Sequence, residues 1–393
     1  MEKSSIHKKG QYFTTNDFLK ESIYKLILNN PAVILEPSCG KGHLVDYVSN
    51  KSPTIMFDLY EIDNELSLLE NIKDLNVIYD DFIKQDINIH YKTIIGNPPY
   101  VKKRTGNVYL EFIEKCFNLL EDNGELIFIV PSDFIKLTSS SALINEMMNY
   151  GTFTHIIHPN SENLFANASI DVIVFRYCKD PTLLEKILVN DEEKYLINTN
   201  GILTFTSELI NEPLSKFEDY FDIFVGMVTG KESVYKNSIY GNIDVLINEN
   251  NIEKYILLDT FPTENEDLNN YMISNKEQLI NRKIKKFNEY NWFEWGALRN
   301  YNKIKDNMGG ECIYISTISR ANDVAFKDQV KYFGGGLIIM IPKQQNIDLE
   351  KMVHYLNSAS FKSNYMYSGR FKIGQRQLCN SLFDVSKFIS HIS

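Results

Sequence analysis

The segment Ile34–Val48, "ILEPSCGKGHLVDYV", decides the fold. An apolar run ends in a glutamate, two glycines follow at Gly40 and Gly42, and apolar residues resume at helical spacing with Leu44, Val45 and Val48. Glycine permits a tight turn and close approach of a ligand to bare backbone, and the helix beyond opens with free N–H groups. Strand, glycine turn and helix together form the first unit of an open α/β sheet with a ligand at its strand ends. The third glycine of a dinucleotide fingerprint is missing, and Pro37, Ser38 and Cys39 fill the turn. Glu36 would repel a pyrophosphate but could hold an ammonium.

Outward from this segment, short apolar runs alternate with helical patterns. Residues 32–36, 54–61, 76–79, 92–96, 125–130, 153–157 and 171–177 read as strands, and 108–122 as a helix. The expected fold class is α/β, with a doubly wound, mostly parallel seven-stranded sheet over residues 1–205. The last two strands follow each other without a long helix and suit an antiparallel edge. Beyond about residue 206 periodicity fades, and we expect a second, mixed α+β domain over 206–393.

Composition narrows the class. Apolar residues make up 44% and charged residues 23%, an ordinary globular balance. No apolar run reaches membrane-spanning length and no signal-peptide core is present, so a cytoplasmic protein is expected. Five scattered cysteines and seven histidines form neither a disulfide framework nor a metal motif, and no metal is expected. The net charge of −10 hides local sign: 361–376 carries four basic residues and no acid, and "VKKR" at 101–104 is a second basic tip.

The later strand ends add chemistry. Glu61 ends the second strand, nineteen residues after Gly42, where an acid accepts ribose hydroxyls. Asp81 can accept from an adenine amino group and Phe82 can cover its face. A ribose, a positive charge and no phosphates describe S-adenosylmethionine. The fourth strand ends in Asn97-Pro98-Pro99-Tyr100, beside that site. Asn97 offers a side-chain carbonyl, Pro98 a rigidly aimed backbone carbonyl, and Tyr100 a flat ring. Two acceptors and a ring suit a planar amine whose lone pair is delocalised; gripping its hydrogens frees the lone pair toward a methyl group.

On these residues the chain resembles the amino-group S-adenosylmethionine-dependent DNA methyltransferases of the adenine-N6 type. "GQYFTTNDF" (10–18) looks like the family's amino-terminal motif, which implies cofactor contacts from Tyr12, Thr14 and Thr15. "ILEPSCGKG" looks like the glycine loop, implying Glu36, Pro37, Ser38, Cys39, Gly40 and Gly42. "YEID" implies Glu61 and Ile62, "DDF" implies Asp81 and Phe82, and "NPPY" is the catalytic loop, with Asn97 also beside the cofactor. "ASIDVIVFRY" (168–177) looks like the late strand whose aromatic sandwiches an extruded base against Tyr100. That match nominates Tyr177, then Phe175.

A base inside a duplex must be extruded for such chemistry, and something must read its neighbours. The resemblance implies double-stranded DNA as partner, the second domain as reader, and membership of a restriction–modification system with a separate endonuclease on the same site; a monomer is expected. Cations interleaved with aromatics nominate Lys283, Lys285, Lys286, Arg370, Lys372, Gln375, Arg376 and Gln377, together with Lys102, Lys103 and Arg104 beside the catalytic loop. The rival reading is a protein N5-glutamine methyltransferase, because a carboxamide nitrogen poses the same problem. About 200 residues following the catalytic core favour DNA.

Overall fold

A computed structural model describes residues 12–103, 106–159, 161, 164–165, 170–180, 182, 184, 186–207, 214–367 and 369–389. They fall into two compact units, one running to Leu209 and including Tyr367–Gly369, the other holding the rest.

The first unit is built on one sheet: β1 (Val33–Glu36), β2 (Met56–Glu61), β3 (Val77–Tyr79), β4 (Tyr91–Gly96), β5 (Leu120–Pro131), β6 (Thr152–Ile157), β7 (Val172–Cys178), β8 (Lys186–Val189), β9 (Glu192–Thr199) and β10 (Ile202–Thr206). Their spatial order is β10-β9-β8-β6-β7-β5-β4-β1-β2-β3. β3, β2, β1, β4 and β5 run parallel. The chain steps outward from β1 through β2 to β3, then returns to β4 on the other side of β1. The carboxyl ends of β1 and β4 therefore flank the switch point where such sheets bind ligands.

Helices cover the sheet because apolar residues recur on one face. In α1 (Asp17–Leu26), Asn16 caps the start by accepting the Leu19 N–H at 3.3 Å, and Leu19, Ile23 and Leu26 are buried. They pack with Leu44 and Val48 of α2 (His43–Lys51) and with Ile34, Ile95 and Ile127 of the sheet. α3 (Val108–Asn118) buries Val108, Tyr109, Phe112, Ile113, Cys116 and Phe117, and α4 (Thr138–Tyr150) buries Leu143, Ile144 and Met147. α3 ends four residues earlier than the pattern over 108–122 suggests, since β5 begins at Leu120.

Two expectations about the sheet need correction. Among the described residues it has ten strands, not seven, because β8, β9 and β10 extend it as a meander; β8 lies parallel to β6, and β9 and β10 are antiparallel. The antiparallel strand is also not at the edge. β7 inserts between β5 and β6 and runs against both. Apolar strands on each side hold it, and Glu125 of β5 pairs with Arg176 of β7 at 2.7 Å. That carboxylate also accepts the Thr93 hydroxyl and the Leu28 and Asn29 N–H groups, so this buried charge pair is hydrogen-bonded throughout.

The second unit centres on an antiparallel sheet of β11 (Phe221–Val225), β14 (Leu337–Pro342), β12 (Glu311–Ser316) and β13 (Ala325–Gln329), in that order. A second core gathers Tyr235, Tyr255, Trp292 and Trp295. No helix of the described residues is long and apolar enough to cross a membrane.

Candidate active site

A cavity of about 490 Å3 opens at the carboxyl ends of β1, β2 and β4, within the usual size range of small-molecule sites. Tyr12, Thr14, Glu36, Pro37, Ser38, Cys39, Gly40, Glu61, Ile62, Asp81, Phe82, Asn97 and Pro99 line it. Gly42 shapes the turn without lining it; its φ is 78°, and a Cβ there would lie 2.4 Å from the Ile72 side chain. Thr15 is exposed and outside the lining.

Glu36 is the electrostatic centre. It is 2% exposed, and its Oε2 has no hydrogen-bond partner. Burial first, and neighbouring Glu61 second, hold its carboxyl pKa well above the ordinary 4.5. A buried carboxyl of this kind invites a cation. Ser38 Oγ, in the same turn, is a second buried atom without a partner. Glu61 is anchored: one oxygen accepts the Gly40 N–H at 2.8 Å and the other the Asp63 N–H at 2.9 Å. Each oxygen keeps a lone pair for a ribose hydroxyl. Asp81 accepts the Ile83 N–H at 3.2 Å and pairs with Lys84 at 3.0 Å. The Phe82 ring stacks on Phe112 at 5.6 Å and meets Tyr60 edge-on at 5.2 Å.

Asn97 follows β4, the strand paired beside β1. Its Nδ2 donates to the Tyr12 carbonyl at 2.7 Å and to Thr14 Oγ1 at 3.0 Å. A carbonyl only accepts, so this contact fixes the amide orientation and turns Oδ1 the other way. There Oδ1 meets the Tyr100 hydroxyl, which also lies 3.1 Å from the Ile129 carbonyl. Burial keeps the Tyr100 phenol pKa well above 10, so it is a donor here. Its ring stacks on Tyr12 at 5.4 Å and 27°. Pro98 is buried, and neither it nor Tyr100 lines the cavity.

The two aromatics nominated to face Tyr100 do not. Tyr177 is fully buried, packs on Phe117 and Phe153, and donates to the Met147 carbonyl at 2.7 Å. Phe175 is fully buried among Phe134, Phe153 and Phe128. Phe165 stands by Tyr100 instead, 6.2 Å away and near-perpendicular, with Tyr12 5.7 Å from it. Sequence reasoning also missed Phe13, His43, Val101, Val108 and Phe112 in the lining. For Val108 and Phe112 a signal existed, since they share the apolar face of α3, but that face read as core.

The basic candidates divide. Lys102 and Lys103 lie on a two-residue strand of a short hairpin; Lys103 lines the cavity and meets Glu111 at 3.3 Å. Arg104 falls outside the described residues. Lys283, Lys285 and Lys286 are exposed, with Lys285 on Glu294 at 2.9 Å. Their neighbour Arg282 is buried and donates to the carbonyls of Leu279, Thr229, Trp292 and Glu294, which anchors this segment. Arg370, Lys372 and Arg376 are half-buried. One glutamine is corrected: Gln377 is buried with its oxygen on the Gly374 N–H, and it holds the fold rather than faces a partner. Gln375 is half-buried and gives one amide N–H to the Ile223 carbonyl at 2.8 Å.

Residues 43–165 match the Eco57I restriction-modification methylase family. Type II methyltransferase M.HindII of Haemophilus influenzae is 25% identical, across 95% of this chain and 88% of its own. Type II methyltransferase M.HincII, also of Haemophilus influenzae, is 30% identical across 51% of this chain and 43% of its own, so the match spans less than half of that relative. Among solved structures, the Type IIL restriction-modification enzyme MmeI in complex with DNA superposes with a TM-score of 0.56 at 9% identity, covering 93% of this chain and 64% of that one. Over these spans the chain is similar to restriction–modification methyltransferases, and it shares the fold of that solved enzyme.

Proposed function

We propose that the protein transfers a methyl group from S-adenosylmethionine to adenine N6 of an extruded base in double-stranded DNA, as the modification half of a restriction–modification system. One observation carries this reading: a single cavity joins Glu36, whose Oε2 has no partner, to Asn97 of the catalytic loop. The residues fit the cofactor. Glu36 suits its cationic methionine end, the Glu61 oxygens its ribose, and Asp81 with Phe82 and Phe112 its adenine. When bound, the cofactor supplies an electrophilic methyl group on a sulfonium.

The chain's own task is to orient the amine. Asn97 Oδ1 accepts one amine hydrogen after the Tyr100 hydroxyl yields that place, and the Pro98 carbonyl takes the other. The Tyr12 and Thr14 contacts keep the Asn97 amide from turning over. Once the methyl group is transferred the nitrogen carries a positive charge and sheds one of its two protons readily, so no buried base is required. Tyr100 and Phe165 are the rings assigned to the base; Phe165 is 4% exposed and stands near-perpendicular to Tyr100, so it must turn to take a base. The exposed lysines at 283, 285 and 286, together with Lys102, Lys103, Arg104, Arg370, Lys372 and Arg376, are assigned to the DNA, and the 206–393 domain to reading its sequence. A separate endonuclease partner, a monomeric state and a cytoplasmic location complete the proposal.

Phe165→Leu, which keeps an apolar side chain at this 4%-exposed core position, should raise the KM for DNA roughly tenfold, the scale of one lost base–aromatic stack, with cofactor affinity nearly unchanged. Phe175→Leu should lower the melting temperature and leave that KM alone. A DNA KM that responds to Phe175 and ignores Phe165 would return the stacking role to β7. The reaction itself is tested by incubating the protein with unmethylated genomic DNA and cofactor, then analysing the nucleosides. N6-methyladenine is expected. N4-methylcytosine alone would remove the adenine assignment, and methylation confined to a glutamine peptide would remove DNA.

A further inference from the structure

Resting on the cofactor reading above, we infer that Lys115 is a positioning residue for the cofactor's adenine, pinning the turn that carries Asp81 and Phe82 to α3. Its Nζ donates to three carbonyls of that turn, those of Phe82, Ile83 (3.2 Å) and Gln85. The ammonium has three N–H groups and meets three acceptors. It also stands 4.7 Å from the centre of the Phe82 ring. Three residues earlier on α3, Phe112 stacks on the same ring at 5.6 Å. One helix face therefore grips Phe82 twice, through its ring and through its carbonyl.

The arrangement differs from a surface lysine seeking a carboxylate. Asp81, the nearest acid on the turn, pairs with Lys84 instead, at 3.0 Å. Residues 82–84 form a single helical turn in which the Phe82 carbonyl already accepts the Gln85 N–H at 3.3 Å. Lys115 adds partners for the turn's carbonyls from a neighbouring helix. Burial lowers its pKa, with Asp81 and Asp86 acting the other way. Without this ammonium the turn loses its three-point tie to α3, and Phe82 and Asp81 are freed to shift with it. Asn97 and Tyr100 would stay in place, because Tyr12, Thr14 and Ile129 hold them.

The consequence is a split between cofactor binding and turnover. In the full-length protein, Lys115→Met should weaken binding of S-adenosylhomocysteine roughly tenfold or more, the scale of losing charge-assisted hydrogen bonds. The KM for S-adenosylmethionine should rise in parallel, while kcat at saturating cofactor stays within about twofold. Lys115→Arg, which keeps charge and donors, should regain part of the affinity. Isothermal titration, steady-state methylation and thermal melts read these quantities. Unchanged affinity in Lys115→Met overturns the inference. So does a fall in kcat equal to the fall in affinity, or an arginine variant as impaired as the methionine one, since either marks a merely structural lysine. If the unaltered protein fails to bind S-adenosylhomocysteine, the cofactor reading itself is lost, and the inference with it.

Discussion

Asn97→Ala is expected to lower kcat roughly 10²–10³-fold, the cost of removing one oriented group from an electrostatic site. The geometry says how the loss divides. Asn97 Oδ1 is the acceptor assigned to the target amine, and alanine removes it outright. Asn97 Nδ2 also ties the Tyr12 carbonyl and Thr14 hydroxyl to the Asn97–Tyr100 loop, so cofactor affinity should fall too, by a few-fold. DNA affinity should stay nearly unchanged. Asn97→Asp separates the two roles. It keeps an oxygen toward Tyr100 and places a second against Thr14, whose hydroxyl can turn to donate, and against the Tyr12 carbonyl, which cannot. It should therefore fall between alanine and the unaltered protein in kcat. Tyr100→Phe removes the hydroxyl that occupies Oδ1 and should cost far less than Asn97→Ala. Methyl transfer from labelled cofactor to DNA, measured at saturating cofactor, gives each value. Near-normal turnover in Asn97→Ala would end the assignment.

What the sequence disclosed about this site follows how local each feature is. Glu36, Gly40 and Gly42 were legible because strand end, glycine turn and helix start lie within a few residues. Glu61 and Asn97 were legible because each ends an apolar run. Phe165 was not. It stands alone in the polar stretch "NSENLFANAS", and only the long-range fold brings it to Tyr100. Tyr177 and Phe175 misled for the complementary reason. Alternation along a strand separates a buried face from an exposed one only when one side is open. β7 lies between two strands with both faces covered, so both alternating positions are core. The extra meander did carry a signal. Asn190-Asp191 and Asn200-Gly201 all have positive φ, the signature of two-residue hairpins, and both pairs are plain in the sequence. The acidic residues around the first pair masked it. Gln377 failed differently. Its residue type suits base edges, but a side chain's partner is decided by tertiary contacts.

Glu36→Gln is expected to weaken S-adenosylmethionine binding roughly a hundredfold, within the about 2–5 kcal/mol lost when one partner of a buried charge pair is removed. The unaltered protein should also show a pH signature that the variant lacks. Burial and Glu61 raise the free protein's Glu36 pKa well above 4.5. A cation at the site favours the carboxylate, so cofactor binding draws off the proton. Affinity should therefore rise with pH until the free carboxyl titrates, then level off. Titrations in buffers of differing ionisation heat should register proton release on the rising limb. Folding runs the other way. A carboxyl whose pKa is raised in the folded state adds stability that is fully present below its unfolded value and is lost as pH rises through its folded value. The cofactor-free protein should lose that contribution on going to higher pH, and Glu36→Gln, neutral throughout, should not. Bound cofactor should restore stability to the unaltered protein where Glu36 is ionised, and much less to the variant. Equal cofactor affinity in the two proteins, with the same pH dependence, would show that the buried carboxyl does not meet the cofactor's charge.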